Sequence, residues 1–218
     1  MSSSFQIPAP PPLSTFARWT EERLKASREE ALKHWRHTED VWVFGYGSLI
    51  WKPEFEFVEK RPATLPGHHR ALCLWSRINR GTPELPGLVF GLEGGGECQG
   101  MAFRLAAHSV TTIFEALWRR EMSTGAYHPS WIDCHTPDGA LKTLAFVIDQ
   151  AGPAYVSEPH EDALIEIVLR ASGIYGSCLD YVTQTADALE AAGIHDARLT
   201  ALVTRLKMEI QQDHRSLS

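Results

Sequence analysis

The stretch Val41-Trp42-Val43-Phe44-Gly45-Tyr46-Gly47-Ser48-Leu49-Ile50-Trp51 constrains this chain more than any other. Its first four positions are β-branched or aromatic, the composition of a strand. Two glycines then interrupt at alternate positions. Glycine weakens a strand unless a bulge or a close approach needs the missing side chain. Consecutive backbone N–H groups after such a strand can turn inward as an anion-binding nest. Residues 45–49 therefore predict a strand running into a loop that holds a carboxylate or phosphate. The plain alternative is a glycine-rich strand end that binds nothing. Named motifs fail here. A dinucleotide fingerprint needs glycine where Ile50 stands, and the phosphate-loop lysine is absent. A nucleophile elbow around Ser48 needs glycines where the chain has Tyr46 and Ile50, so Ser48 is a hydrogen-bonding or structural serine.

Length and charge narrow the function classes. A chain of 218 residues suits one domain with an extension, and it can bury a core without staples. The net charge of −6 argues against a broad basic surface, and so against nucleic acid as a partner. The four cysteines, Cys73, Cys98, Cys134 and Cys178, form no C-x-x-C pair. With no signal-like N-terminus, this fits a reducing cytoplasm. No apolar run approaches the ~18 residues that span a membrane, so no membrane partner is expected.

The order of elements predicts an α+β fold. Residues 1–13 are Pro- and Ser-rich and are expected to be flexible. Residues 14–38 predict a helical extension, capped at Ser14 or Thr15, with Phe16, Leu24, Ala31 and Trp35 on one side and a Glu21–Lys25 pair on another. After the first strand, residues 52–69 predict loop and extended chain, punctuated by Pro53, Pro62 and Pro66. Strands follow at 70–75, 88–92 and 99–105, with Gly94-Gly95-Gly96 as a turn. A helix is expected at 109–121. Two strands at 130–136 and 141–149 form a hairpin around Pro137-Asp138-Gly139. Pro159 opens a helix ending near Gly173, a second ends at Gly193, and a third covers 196–212. The domain itself is expected over 41–192, with a C-terminal helix over 193–218.

The helix at 109–121 carries a carboxylate in an unusual place. Val110, Ile113, Phe114, Leu117 and Trp118 make its apolar stripe, with Glu115 and Arg119 on the opposite, solvent side. Glu121 lies eleven residues after Val110, three turns plus about 20°, so it points with the stripe. It also sits at the negative end of the helix dipole. Burial there raises a carboxyl pKa and makes a competent acid or base. Alternatively, Glu121 bends into water, or pairs with Arg104 or Arg120.

Other constellations are weaker. His68-His69, and Cys134-His135 with His128, suggest a metal, but adjacent residues on a strand point to opposite faces. No metal or other cofactor is therefore expected. The tryptophans fit a core better than a base-stacking platform. Cys178 as nucleophile has no histidine near it in sequence.

Three segments resemble one family. The stretch at 41–51 looks like the opening strand and loop of the ChaC-type γ-glutamylcyclotransferases. Arg120-Glu121, with Gly125-Ala126-Tyr127 shortly after, resembles the segment carrying that family's catalytic glutamate, although Met122-Ser123-Thr124 makes the spacing longer. Gly173-Ile174-Tyr175-Gly176-Ser177-Cys178-Leu179-Asp180-Tyr181 resembles its late glycine- and tyrosine-containing segment. The resemblance implies a small mixed β-barrel with flanking helices. It implies an enzyme that cleaves glutathione to 5-oxoproline and Cys-Gly, with Glu121 catalytic. Gly45, Tyr46, Gly47, Ser48, Leu49, Ile50 and Tyr181 would then contact the substrate, with Arg70 a further candidate. A cyclotransferase for other γ-glutamyl compounds, or a binding protein without activity, is the alternative.

Overall fold

The computed structural model describes residues 17–157 and 159–216, together with Pro10, Pro12 and Ser14. Apart from Pro10 and Pro12, the segment 1–13 lies outside the described residues, as does Phe16. The chain forms two units, one holding Pro11–Leu74 and Phe90–Tyr155, the other Trp75–Val89 and Val156–Ser218.

The first unit is built on a closed barrel. Its strands are β1 (Val41–Gly45), β2 (Glu59–Ser76), β3 (Gly87–Leu105), β4 (Tyr127–Thr136) and β5 (Gly139–Ile148), in the order β1-β3-β2-β4-β5. β1 pairs antiparallel with β3, from Val41 opposite Leu105 to Gly45 opposite Met101. It pairs parallel with β5, Trp42 opposite Thr143 and Val43 opposite Leu144. Closure leaves no free sheet edge. Successive residues Val43 and Phe44 are both fully buried, so β1 is covered on both faces.

Two expectations about strands are corrected. β2 begins at Glu59 and runs through Pro62 and Pro66, where loop and extended chain were expected; both proline rings are exposed. Gly94-Gly95-Gly96 does not turn the chain. It lies inside β3, where Gly95 (φ 98°) and Gly96 (φ 73°) take conformations open to glycine and bend the strand without ending it. The predicted hairpin is present, with Thr136 opposite Gly139 at its tip.

α2 (Val110–Glu121) covers the barrel with the predicted stripe. Val110, Phe114, Leu117 and Trp118 are buried, and Trp118 meets Phe146 of β5 edge-on at 5.5 Å. Each such large side chain contributes about 2–3 kcal/mol by leaving water.

The other side of α2 was expected to face solvent, but α1 (Glu21–Leu32) lies on it. Arg28 bonds Glu115 at 3.2 Å, and Glu21 takes Arg119 rather than Lys25. Trp118 Nε1 donates to Ser27 Oγ at 3.2 Å, and Trp131 Nε1 to the Ala31 carbonyl at 2.8 Å. α1 starts at Glu21, later than expected, and Thr20 caps it: its hydroxyl accepts the Arg23 N–H at 3.3 Å.

The second unit is helical. α3 (Glu161–Arg170), α4 (Cys178–Ala191) and α5 (Ala197–Ser216) pack on one another through residues such as Ile165, Val168, Val182, Leu189 and Leu206. A short hairpin of β6 (Ser172–Gly173) and β7 (Gly176–Ser177) precedes α4. α3 opens at Glu161 rather than at Pro159, with His160 as its cap; Ser177 Oγ caps α4 by accepting the Asp180 N–H at 2.9 Å; Asp196 Oδ1 accepts the Leu199 N–H at 3.0 Å at the head of α5. Barrel and helices together make the expected α+β fold.

Candidate active site

β1 delivers the chain into a tight loop. The Ile50 N–H bonds the Gly47 carbonyl at 3.0 Å, and the Lys52 N–H bonds the Ser48 carbonyl at 2.7 Å. A side chain at Gly45 would crowd Leu49 and Phe103, each 3.1 Å from the position of a Cβ. Leu49 and Ile50 bury their side chains and so fix the loop to the barrel. The amides of Gly47, Ser48 and Leu49 have no hydrogen-bond acceptor among the described residues. Three successive N–H groups of this kind on a fixed loop are an arrangement able to receive an anion.

Two of the predicted contacts support this loop from within. Tyr46 is buried, and its hydroxyl donates to the Phe146 carbonyl at 2.7 Å. Arg70 is also buried; its Nε donates to the Tyr46 carbonyl and its Nη2 to the Gln99 carbonyl, both at 2.5 Å. These groups hold the loop by its backbone.

Glu121 is the last residue of α2 and its side chain is 17% exposed. Burial raises its pKa above the ordinary glutamate value. The adjacent Arg120 opposes the rise, and Glu54 adds to it. Arg120 joins the carboxylate to the loop. Its Nε lies 3.1 Å from Glu121 Oε1, and its Nη2 donates to Ser48 Oγ at 2.9 Å. Its Nη1 donates to the Lys52 carbonyl at 2.6 Å, the Pro53 carbonyl at 3.3 Å and Glu54 Oε2 at 3.0 Å. The sequence offered Arg120 as an ion-pair partner and as the neighbour of Glu121 in the segment that carries the resemblance. Its adjacency to a recessed glutamate was the available signal; its reach to residues 48–54 was not visible there.

The segment after Glu121 is held by the residues before α1. Trp19 N–H donates to the Ser123 carbonyl at 2.7 Å. Its ring lies against Gly125, where an added Cβ would come within 2.2 Å of it. The longer spacing noted at Met122-Ser123-Thr124 thus forms a turn, closed by Gly125 N–H on the Met122 carbonyl at 3.1 Å.

Tyr181 belongs to the helical unit. It is buried on the first turns of α4, with the Arg80 guanidinium 5.3 Å from its ring centre. Arg80 also donates to the Tyr175 carbonyl at 2.6 Å. Cys178 is fully buried, its thiol donates to the Leu88 carbonyl at 3.0 Å, and burial pushes its pKa up to about 11. That thiol is a poor nucleophile at neutral pH. Among the described residues no three His, Cys, Asp or Glu side chains are grouped to hold a metal.

The geometry therefore comprises a recessed carboxylate with a raised pKa, an arginine beside it and a loop of unpaired amides. Comparison with known proteins gives it a lineage. The family model described as "ChaC-like protein" matches residues 41–209. The glutathione-specific γ-glutamylcyclotransferase of Escherichia coli (strain K12) is 35% identical over 190 residues, 87% of this chain and 82% of that one. The human glutathione-specific γ-glutamylcyclotransferase 1 is 30% identical over 170 residues, 75% of this chain and 77% of that one. A crystal structure of a yeast γ-glutamyl cyclotransferase specific to glutathione has the same fold, with a TM-score of 0.72 at 22% identity, over 78% of this chain and 96% of that one. The match over residues 41–209 and the likeness to the bacterial protein across most of both chains show that this chain belongs to the ChaC-like family.

Proposed function

We propose that this protein is a glutathione-specific γ-glutamylcyclotransferase, which closes the γ-glutamyl group of glutathione to 5-oxoproline and releases Cys-Gly. The observation that carries the mechanism is Glu121, recessed and raised in pKa, tied through Arg120 to a loop with unpaired amides at Gly47, Ser48 and Leu49. The loop amides hold the α-carboxylate of the substrate. Arg70 and Tyr46 serve by fixing that loop.

The reaction is internal. The α-amine attacks the γ-carbonyl carbon, a C–N bond forms, and the bond to the cysteinyl nitrogen breaks. Holding one molecule in a near-attack shape is worth effective molarities of about 10⁵–10⁸ M. No protein nucleophile is needed. Glu121 relays protons from the attacking nitrogen, which gives up two in passing from ammonium to lactam N–H, to the departing nitrogen, which takes up two as Cys-Gly leaves with its amine protonated, so no net proton is consumed. A base does this best when its pKa lies near the working pH, the direction in which burial moves Glu121. No helix among the described residues is long and apolar enough to cross a membrane, and Cys134 and Cys178 are buried thiols. A reducing cytoplasm, to which buried cysteine thiols are suited, is the working compartment proposed here.

Specificity is tested by comparing kcat/KM for glutathione, γ-Glu-Ala and glutathione disulfide. Glutathione is expected to exceed both by at least about tenfold, the discrimination that ~1.4 kcal/mol of differential transition-state binding gives. Equal values for glutathione and γ-Glu-Ala would instead make the protein a general γ-glutamyl cyclotransferase.

A further inference from the structure

Glu54 is the only non-glycine residue with positive φ among the described residues, at 57°. L-residues seldom adopt this conformation unless the surroundings impose it, and such positions concentrate at functional sites. Here the surroundings are the proposed active site. The Glu54 carboxylate accepts from Arg120 Nη1 at 3.0 Å through Oε2, and meets Lys52 Nζ at 3.1 Å through Oε1.

The consequence lies in how Arg120 is shared. A guanidinium facing a carboxylate ordinarily pairs through two parallel N–H groups, the strongest arrangement available to it. Arg120 meets Glu121 from Nε to Oε1 at 3.1 Å. Its Nη1 is taken by Glu54 and the carbonyls of Lys52 and Pro53, and its Nη2 by Ser48. We propose that Glu54 is a positioning residue that holds the Arg120 guanidinium off a two-pronged pairing with Glu121. Arg120 then orients the catalytic carboxylate without locking it in its ionised form. The negative charge of Glu54 acts in the same sense, favouring the protonated form of Glu121. Arg120 and Glu54 are the charged groups acting on Glu121 among the described residues, and Lys52 faces Glu54. Arg119, the neighbour on α2, points away to Glu21.

This inference rests on Glu121 being the proton shuttle, and its test separates the two. The protonation of Glu121 is followed by ¹³C NMR of its side-chain carboxyl, assigned with Glu121→Gln, in the parent protein, Glu54→Gln and Glu54→Ala. This readout needs no turnover. Glu54→Gln keeps an oxygen acceptor for Arg120 but removes the charge. Glu54→Ala removes both and keeps the same backbone strain. Both variants are expected to move the Glu121 titration to lower pH, Glu54→Ala further, with the largest shift at low ionic strength. The acid limb of kcat/KM for glutathione should move with it, and Glu54→Ala should lose about tenfold in kcat, the size expected when a hydrogen bond to a charged group is lost. A Glu121 titration that superimposes on the parent's in both variants overturns the proposal, whatever their melting temperatures do. Absence of turnover in the parent, with the titration still shifted, would overturn the functional reading and leave the Glu54–Arg120–Glu121 coupling standing.

Discussion

Glu121→Gln is expected to lower kcat for 5-oxoproline formation by about 10²–10⁴, the contribution of a positioned general base. Binding of glutathione should survive, because the loop amides at Gly47, Ser48 and Leu49 are untouched. Single-turnover cyclisation and equilibrium binding on the same folded variant make the comparison. Turnover within a few-fold of the parent would remove the catalytic role. The stability of the variant gives a second reading. The folded state holds the Glu121 proton more tightly than the unfolded chain does, since burial raises the folded-state pKa. The stability this contributes is fully present below the ordinary glutamate value and is lost as pH rises through the raised one. An amide is cheaper to bury than an ionised carboxylate. Glu121→Gln should therefore melt higher than the parent above that raised pKa, and the gain should vanish below about pH 4. Inactivation accompanied by a pH-dependent gain in stability is not what loss of a merely structural side chain produces.

Arg120→Ala is expected to have the next largest effect, and in two observables together. It breaks the link from Glu121 to Ser48, Lys52, Pro53 and Glu54. Misplacing the base or the loop by about 1 Å is enough to cost ~10²-fold in kcat/KM. Stability should fall by about 2–4 kcal/mol, because a recessed carboxylate loses its compensating charge. The acid limb of activity should also move to higher pH, opposite in direction to Glu54→Gln, since Arg120 is the group that lowers the Glu121 pKa. Arg120→Lys should not restore activity: one ammonium cannot serve acceptors spread around a planar fork. A chemical-denaturation curve and a pH–rate profile on each variant check the account. Unchanged kcat/KM in Arg120→Ala would contradict it.

Much of the fold was legible where periodicity and turn chemistry act locally. The apolar stripe of α2 placed Glu121 correctly because one helix sets both ends of the argument. The hairpin of β4 and β5 followed from Pro137-Asp138-Gly139. Barrel closure did not follow from the residues, since the parallel pairing of β1 with β5 joins segments about a hundred residues apart, and no local signal encodes it. The glycine run in β3 misled because glycine serves bulges and turns alike.

The site divided in the same way. Glu121 and the loop were visible as departures from a helix rule and a strand rule. Tyr46 and Arg70 were visible only as candidates, and the structure spends their polar groups on carbonyls within the barrel unit. Arg120 as a junction and Glu54 in a left-handed conformation depend on how residues 48–54 fold back on the end of α2, which is tertiary geometry. The residues before the family match, Trp19 above all, carry a supporting role that an amphipathic pattern cannot specify.

The most direct test is a product balance. Purified protein is incubated with glutathione, and 5-oxoproline, Cys-Gly and glutamate are quantified together. Internal attack by the α-amine predicts one 5-oxoproline for each Cys-Gly, with no glutamate formed and the yield abolished in Glu121→Gln. Cys-Gly released with an equal amount of glutamate would mean that water attacks instead, and no Cys-Gly at all would mean that the recessed carboxylate and its loop do not act on glutathione.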